Sequence, residues 1–212
     1  ILAEYTLELG IHHSERLLPM VQQILDDAAV SLPDLGGIAI ASGPGSFTGL
    51  RIGMSTAKGL CMALDIPLLA VPTLQALAFS VLSNGMAVCA MLDARREEVY
   101  GGVYRLEAGV PVVFVEDQAG CVTSFLSNLP RPVWFTGDGA RAYREQIVEA
   151  MGADAHFVPN AMSRPQAGSV ARLGITLLNR GDVSDPGVVE PTYLRRSQAE
   201  QVREARLKSG IP

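Results

Sequence analysis

Charge is scarce in this chain. Only 18% of its 212 residues are Asp, Glu, Lys or Arg, against about 25% in an average soluble domain. Lysine is nearly absent, with Lys58 and Lys208 set against 15 arginines. The formal charge is -5 and the isoelectric point about 5.2. Such a chain lacks the uniformly basic face of an independent nucleic-acid binder, so that class is excluded. Cysteine is also rare. Cys61, Cys89 and Cys121 are odd in number and far apart, which excludes a disulfide framework and a thiolate zinc site and makes a reducing cytoplasm the expected location. The histidines are His12, His13 and His156; neighbours at 12 and 13 diverge on regular structure, so no shared metal is expected. No apolar run approaches the ~20 residues of a membrane span. No charged leader precedes an apolar stretch, so no export signal and no membrane contact are expected.

Apolar residues fill the space that charge leaves. They make up 48% of the chain, and mean hydropathy is +0.23. A chain of this size buries roughly 70% of its unfolded surface, so the core is ample and some apolar surface is left for a partner.

Hydrophobic periodicity divides the chain into two similar series of elements. The first reads as a strand at Ile1–Leu9 and an amphipathic helix at Ser14–Val30, with Leu17, Val21, Ile24 and Ala28 on one face. Pro19 has no N–H to donate, so regular helix is expected to begin there. A strand at Ile38–Ala41, a helix at Phe47–Leu64, a strand at Pro67–Val71 and a helix at Thr73–Leu82 follow. The second series has strands at Ala87–Leu92, Val99–Arg105 and Val110–Val115, then a weak helix at Val122–Asn128. A strand at Val133–Phe135, a helix at Ala140–Met151, a short segment at His156–Val158 and a helix at Gln166–Asn179 complete it. The orders βαβαβα and βββαβαβα differ by two leading strands. They fit an α/β duplication of RNase H-like lobes, with residues 1–84 as the first, 85–190 as the second and 191–212 as a tail. The turn signal Ser83-Asn84-Gly85 marks the boundary. The first lobe is expected to lack its N-terminal hairpin, in keeping with a chain that opens at Ile1.

The most informative stretch is Ser42-Gly43-Pro44-Gly45-Ser46-Phe47-Thr48-Gly49-Leu50-Arg51, between a strand and a helix. Its glycines permit positive φ and close approach, and the following helix N-terminus favours an anion. The spacing is neither a dinucleotide fingerprint nor a P-loop. Gly43, Gly45 and Ser46 are therefore candidate nucleotide or phosphate contacts, while a tight turn with Ser46 as N-cap explains them equally. Along the helix Gly49, Gly53 and Ala57 recur every four residues. Interior glycines each cost about 1 kcal/mol of helix propensity, and such a stripe admits another backbone closely. Either internal packing or a partner would use it.

These residues, with His13-Ser14-Glu15-Arg16-Leu17-Leu18-Pro19, Leu92-Asp93-Ala94-Arg95, Glu98-Val99-Tyr100 and Glu190-Pro191-Thr192-Tyr193-Leu194-Arg195, resemble the TsaB (YeaZ) family. The resemblance implies an ASKHA (actin-like ATPase) fold. It implies a non-catalytic subunit of the bacterial tRNA threonylcarbamoyladenosine machinery that scaffolds TsaD, with the ATPase TsaE joining the larger complex. The expected interface comprises Leu17, Val21, Ile24, Gly49, Arg51, Gly53 and Ala57. The free chain would form a homodimer through the same patch, and tRNA would be met only through the complex. No intrinsic cofactor or metal is expected, and ATP or ADP would sit at the complex interface. At the positions matching the metal-binding histidines of TsaD stand Thr73 and Leu77; leucine is no metal ligand, so no catalytic residue is assigned. The rival reading is an active ASKHA-type ATPase or a metallopeptidase.

Three further groups have plain alternatives. Asp93, Arg95, Arg96, Glu97 and Glu98 read as a solvated hairpin turn or, by the resemblance, as the place of an acid or a phosphate loop in an active ASKHA enzyme. Gly137-Asp138-Gly139 reads as a turn and cap or as a nucleotide contact. Residues Pro191–Pro212 carry five basic and two acidic side chains, a net charge of +3, suited to tRNA phosphates, an acidic partner or simple solvation.

Overall fold

The computed structural model describes residues 1–7, 13–81 and 85–195. Helix α1 (His13–Ala28) leads to strand β1 (Ile38–Gly43), helix α2 (Phe47–Leu64), strand β2 (Leu68–Pro72) and helix α3 (Thr73–Phe79). Strands β3 (Ala87–Arg95), β4 (Glu98–Glu107) and β5 (Val110–Cys121) then form a meander. Helix α4 (Val122–Leu126), strand β6 (Val133–Thr136), helices α5 (Asp138–Ala142) and α6 (Arg144–Met151), strand β7 (Ala155–Phe157) and helix α7 (Ala167–Arg180) complete the order.

Two sheets result among the described residues. β1 and β2 pair in parallel, Ile38 opposite Leu68 and Ala41 opposite Val71. The larger sheet has the order β5-β4-β3-β6-β7. Its meander is antiparallel, and β3-β6 and β6-β7 are parallel.

Alternation along the strands sets the layers. On one face of the small sheet, Ile38, Ile40 and Leu68 pack with Met54, Ala57 and Cys61 of α2. On the other, Ala39, Ala41 and Val71 meet Val170 and Leu173 of α7. The larger sheet packs Cys89, Met91, Val99 and Phe135 against α4 and α6. Its opposite face packs Val88, Ala90 and Tyr104 against Leu74 and Leu77 of α3. Helix α3 therefore joins the two sheets, and Gln75 Nε2 also donates to the Pro111 carbonyl at 2.8 Å.

Several expectations need correction. Residues 1–7 form no strand, because a strand exists only where another backbone offers a ladder. Instead Glu4 Oε1 accepts from the Gly168 amide at 3.0 Å, satisfying the N-terminus of α7, and the Tyr5 hydroxyl donates to Asp27. Helix α1 begins before Pro19 and runs through it. Glu15 and Pro19 lie on its exposed side, where a helix tolerates the intrahelical bond that Pro19 cannot make. The helix expected at Ala140–Met151 is two helices, broken at Tyr143 with φ -108° and ψ 24°. The Ser83-Asn84 boundary, the end of the third expected helix at Leu82, His12 and the tail from residue 196 onward lie outside the described residues. No helix among those described is long and apolar enough to cross a membrane.

Candidate functional site

A cleft of about 710 Å³ lies beside the glycine-rich turn, lined by Gly45, Ser46, Thr73, Asp93, Asp138 and Arg195 among others. The first turn of α2 forms one wall. The Ser46 hydroxyl accepts from the Gly49 amide at 3.3 Å, so Ser46 is the N-cap of α2. The end of β3 and the start of α5 form another wall, where Asp138 Oδ1 accepts from the Asp93 amide at 3.0 Å.

Gly43 requires a correction. It is buried, its amide donates to Thr73 Oγ1 at 3.2 Å, and its φ is +122°. A Cβ there would stand 2.3 Å from the Thr192 carbonyl oxygen. The close approach that glycine permits at this position is used by the chain itself, and a phosphate has no access. Gly45 and Ser46 do line the cleft.

The acidic residues of the cleft are held by local bonds. Asp93 Oδ1 accepts from the Arg95 amide at 2.8 Å and from the Tyr143 hydroxyl at 3.1 Å. Burial, and then the bond to Asp93, push the Tyr143 phenol up, which keeps it a donor. Arg95, Arg96 and Glu97 take φ of 67°, 58° and 61° and are exposed, so the charged segment is the solvated β3–β4 turn. Gly137 N-caps α5, and a Cβ on it would sit 1.9 Å from the Met91 carbonyl oxygen. The Gly137-Asp138-Gly139 segment is thus a turn packed directly on β3.

Helix α2 shows which way the small-residue stripe points. Leu50, Met54, Ala57 and Cys61 are its buried positions. A Cβ on Gly53 would come within 3.2 Å of Ile40 Cδ1, so Gly53 lets α2 sit down on β1. Of the proposed interface residues, Gly53 and Ala57 therefore serve internal packing. Gly49 lies over the Ser46 cap. The outward stripe is different: Thr48, Arg51, Ser55, Gly59 and Met62 are all exposed at spacings of three and four. Met62 is 67% exposed, and a Cβ on Gly59 would meet nothing within 4 Å. On α1, Leu17, Val21 and Ile24 are half-buried and Leu18 is 52% exposed.

Arg51 is engaged by the end of the described chain. Its Nε donates to the Tyr193 hydroxyl at 3.1 Å, and the Tyr193 ring stacks on Phe47 at 4.1 Å and 5°. The motif Glu190–Arg195 is legible as a sequence, yet its role as a segment laid over α2 is not, because nothing local reveals where an irregular segment docks. At the positions matched to metal-binding histidines, Thr73 accepts the Gly43 amide and Leu77 is fully buried. Among the described residues no group of three His, Cys, Asp or Glu side chains could hold a metal ion.

Comparison with known proteins agrees with this architecture. A family model described as TsaD: tRNA N6-adenosine threonylcarbamoyltransferase matches residues 7–202. A crystal structure of a Pseudomonas aeruginosa protein described as similar to peptidase YEAZ superposes with a TM-score of 0.75 at 30% identity, covering 88% of this chain and 86% of that one. YeaZ from Pseudomonas aeruginosa gives 0.73 at 32% identity, covering 87% and 86%. These matches, with two helix-flanked sheets, define a mixed α/β protein of the TsaD- and YeaZ-like class. The tRNA threonylcarbamoyladenosine biosynthesis protein TsaB of Bacillus subtilis (strain 168) is 34% identical over 203 residues, 94% of this chain and 87% of the relative. TsaB of Escherichia coli (strain K12) is 44% identical over 95 residues, 44% of this chain and 41% of that relative. The chain belongs to the TsaB family.

Proposed function

We propose that this chain acts in tRNA threonylcarbamoyladenosine biosynthesis as a non-catalytic subunit that docks TsaD. The observation that carries the reading is the match to TsaB along nearly the whole chain. The outer face of α1 and α2 is the proposed docking surface, with Leu18 exposed on α1 and Met62 exposed on α2. Met62 shares its exposed stripe of α2 with Ser55 and Gly59, and exposed apolar side chains with small residues between them suit a second helix pair. In the free chain the same face would pair with a second copy. The non-catalytic reading is supported by Thr73 and Leu77, which spend their side chains on a backbone bond and on core packing.

The proposed architecture is two RNase H-like lobes of an ASKHA fold, the first without its leading hairpin. The order β5-β4-β3-β6-β7 of the larger sheet, with its antiparallel meander and parallel remainder, supports this. The cleft would then be a place for ATP or ADP at the assembled interface, with Gly45 and Ser46 at the helix N-terminus as its phosphate side. TsaE would join the larger assembly, and tRNA would be reached through TsaD. The proposed location is the cytoplasm.

The test is reconstitution. Purified TsaD is assayed for threonylcarbamoyl transfer to tRNA with and without this chain, and the chain alone is assayed for ATP hydrolysis and bound metal. Transfer that depends on the chain, with neither turnover nor stoichiometric metal in the isolated chain, is the expected outcome. Steady ATP hydrolysis or stoichiometric metal in the isolated chain would support the rival enzyme reading.

A further inference from the structure

Residues Val189–Arg195 run from α2 to β4, and each end is fixed to a different half of the molecule. On the α2 side, Lys58 Nζ donates to the Val189 carbonyl at 3.0 Å, and Val189 packs against the cluster that α2 builds on β2 from Met54, Ala57, Cys61 and Leu68. The Thr192 amide then donates to the Ser42 carbonyl at 2.7 Å, which seats the segment directly on Gly43. Tyr193 stacks on Phe47, and Arg51 lies over both rings at 5.3 and 5.9 Å. Two residues later the segment reaches the larger sheet, where Arg195 Nη1 donates to Glu98 Oε2 at 2.6 Å.

We infer that Val189–Arg195 is a latch that holds the glycine-rich turn to the larger sheet and thereby sets the opening of the cleft. Arg195 lines the same cleft as Gly45, Ser46 and Asp93, so the latch forms part of the wall it controls. The sheets have another joint at α3, whose Leu74 and Leu77 are buried against the larger sheet. That joint is apolar and fully packed, and suits a fixed pivot. The latch ends in an ion pair whose side chains are 30% and 41% exposed, a contact that water can replace. Such pairs are worth little individually, which makes this end the one that opens. The inference stands independently of whether TsaD is the partner.

Hydrogen exchange on the full chain tests it, with Arg195→Ala, Glu98→Ala and the charge swap Glu98→Arg with Arg195→Glu. Each single variant is expected to speed exchange about two- to fivefold, the reach of a partly exposed ion pair. The acceleration should cover the Thr192 amide, the turn at 45–47 and the end of β3 at 92–94, and the swap should restore protection. Tyr193→Phe, which keeps the stacked ring and loses the hydroxyl, is expected to loosen the strap at Thr192 while the chain stays folded. Unchanged exchange at both cleft walls in the single variants would overturn the inference, even if the strap itself loosened, because it would then be a passive tether. A swap that fails to restore protection would remove the ion pair as the anchor and overturn it equally.

Discussion

Replacing Gly59 by alanine is expected to stabilise the protein, and replacing Gly53 by leucine to destabilise it. The two glycines lie six residues apart in one helix, so their propensity terms are the same. Each alanine substitution gains about 1 kcal/mol from helix propensity. At Gly59 a Cβ meets nothing within 4 Å, so the gain is kept whole. For a chain of this length it corresponds to a melting temperature higher by about 2–4 °C. At Gly53 the Cβ alone reaches 3.2 Å from Ile40 Cδ1. Alanine there would set the propensity gain against a small displacement of Ile40 and come out near neutral. The three further carbons of leucine must be driven into the α2–β1 contact, where overpacking costs about 1–3 kcal/mol. Urea titration of the variants, followed by circular dichroism, separates the cases. A Gly53→Leu variant as stable as the parent, or a Gly59→Ala variant less stable, would refute the assignment of inner and outer faces of α2.

Gly43→Ala should be more damaging than its single methyl suggests, since the Cβ would lie 2.3 Å from the Thr192 oxygen at a φ of +122°. Limited proteolysis is expected to cut near residues 189–195 in that variant and to spare them in the parent. Asp117 supplies a pH effect: burial pushes its carboxyl above the ordinary 3.8, and the bond donated by Tyr104 only partly opposes this. A carboxyl raised in the folded state stabilises most below its unfolded pKa and loses that contribution as pH rises through the folded value. Asp117→Asn should therefore flatten the fall in melting temperature as pH rises above 4, and an unchanged profile would contradict the burial argument. Gly137→Ala, with a Cβ 1.9 Å from the Met91 oxygen, should yield little folded protein, as judged by soluble expression and circular dichroism.

Much of the fold was legible because its elements obey local rules. The span of helix α2 was legible from its periodicity and from Ser46 as cap, while its left-handed end at Asp65 and the confinement of its buried positions to one side came from the structure. The β3–β4–β5 meander followed from apolar runs interrupted by polar turns. Positions that depend on distant chain were harder to read. The direction of the Gly49–Gly53–Ala57 stripe depends on where Ile40 lies, and composition says only that something comes close. Gly43 carried the same ambiguity: a glycine signals near contact, and here the contact is Thr192, almost 150 residues later in the chain. Residues 1–7 have the apolar pattern of a strand, but pairing depends on a neighbouring ladder that no local pattern encodes. The cleft was visible only in part, since Asp93, Asp138 and Arg195 are brought beside Ser46 by tertiary packing.

The docking face is the centre of the functional account, and binding of purified TsaD by calorimetric titration probes it most directly. Gly59→Arg fills the open outer position of α2 without meeting any neighbour within 4 Å of the Cβ, and arginine is a far better helix former than glycine, so circular dichroism should show the parent's fold and melting should be no lower than the parent's. The account predicts saturable binding of TsaD by the parent chain and loss of at least about tenfold in affinity, roughly 1.4 kcal/mol, in Gly59→Arg. Equal affinity for the folded variant, or no binding by the parent, would contradict it.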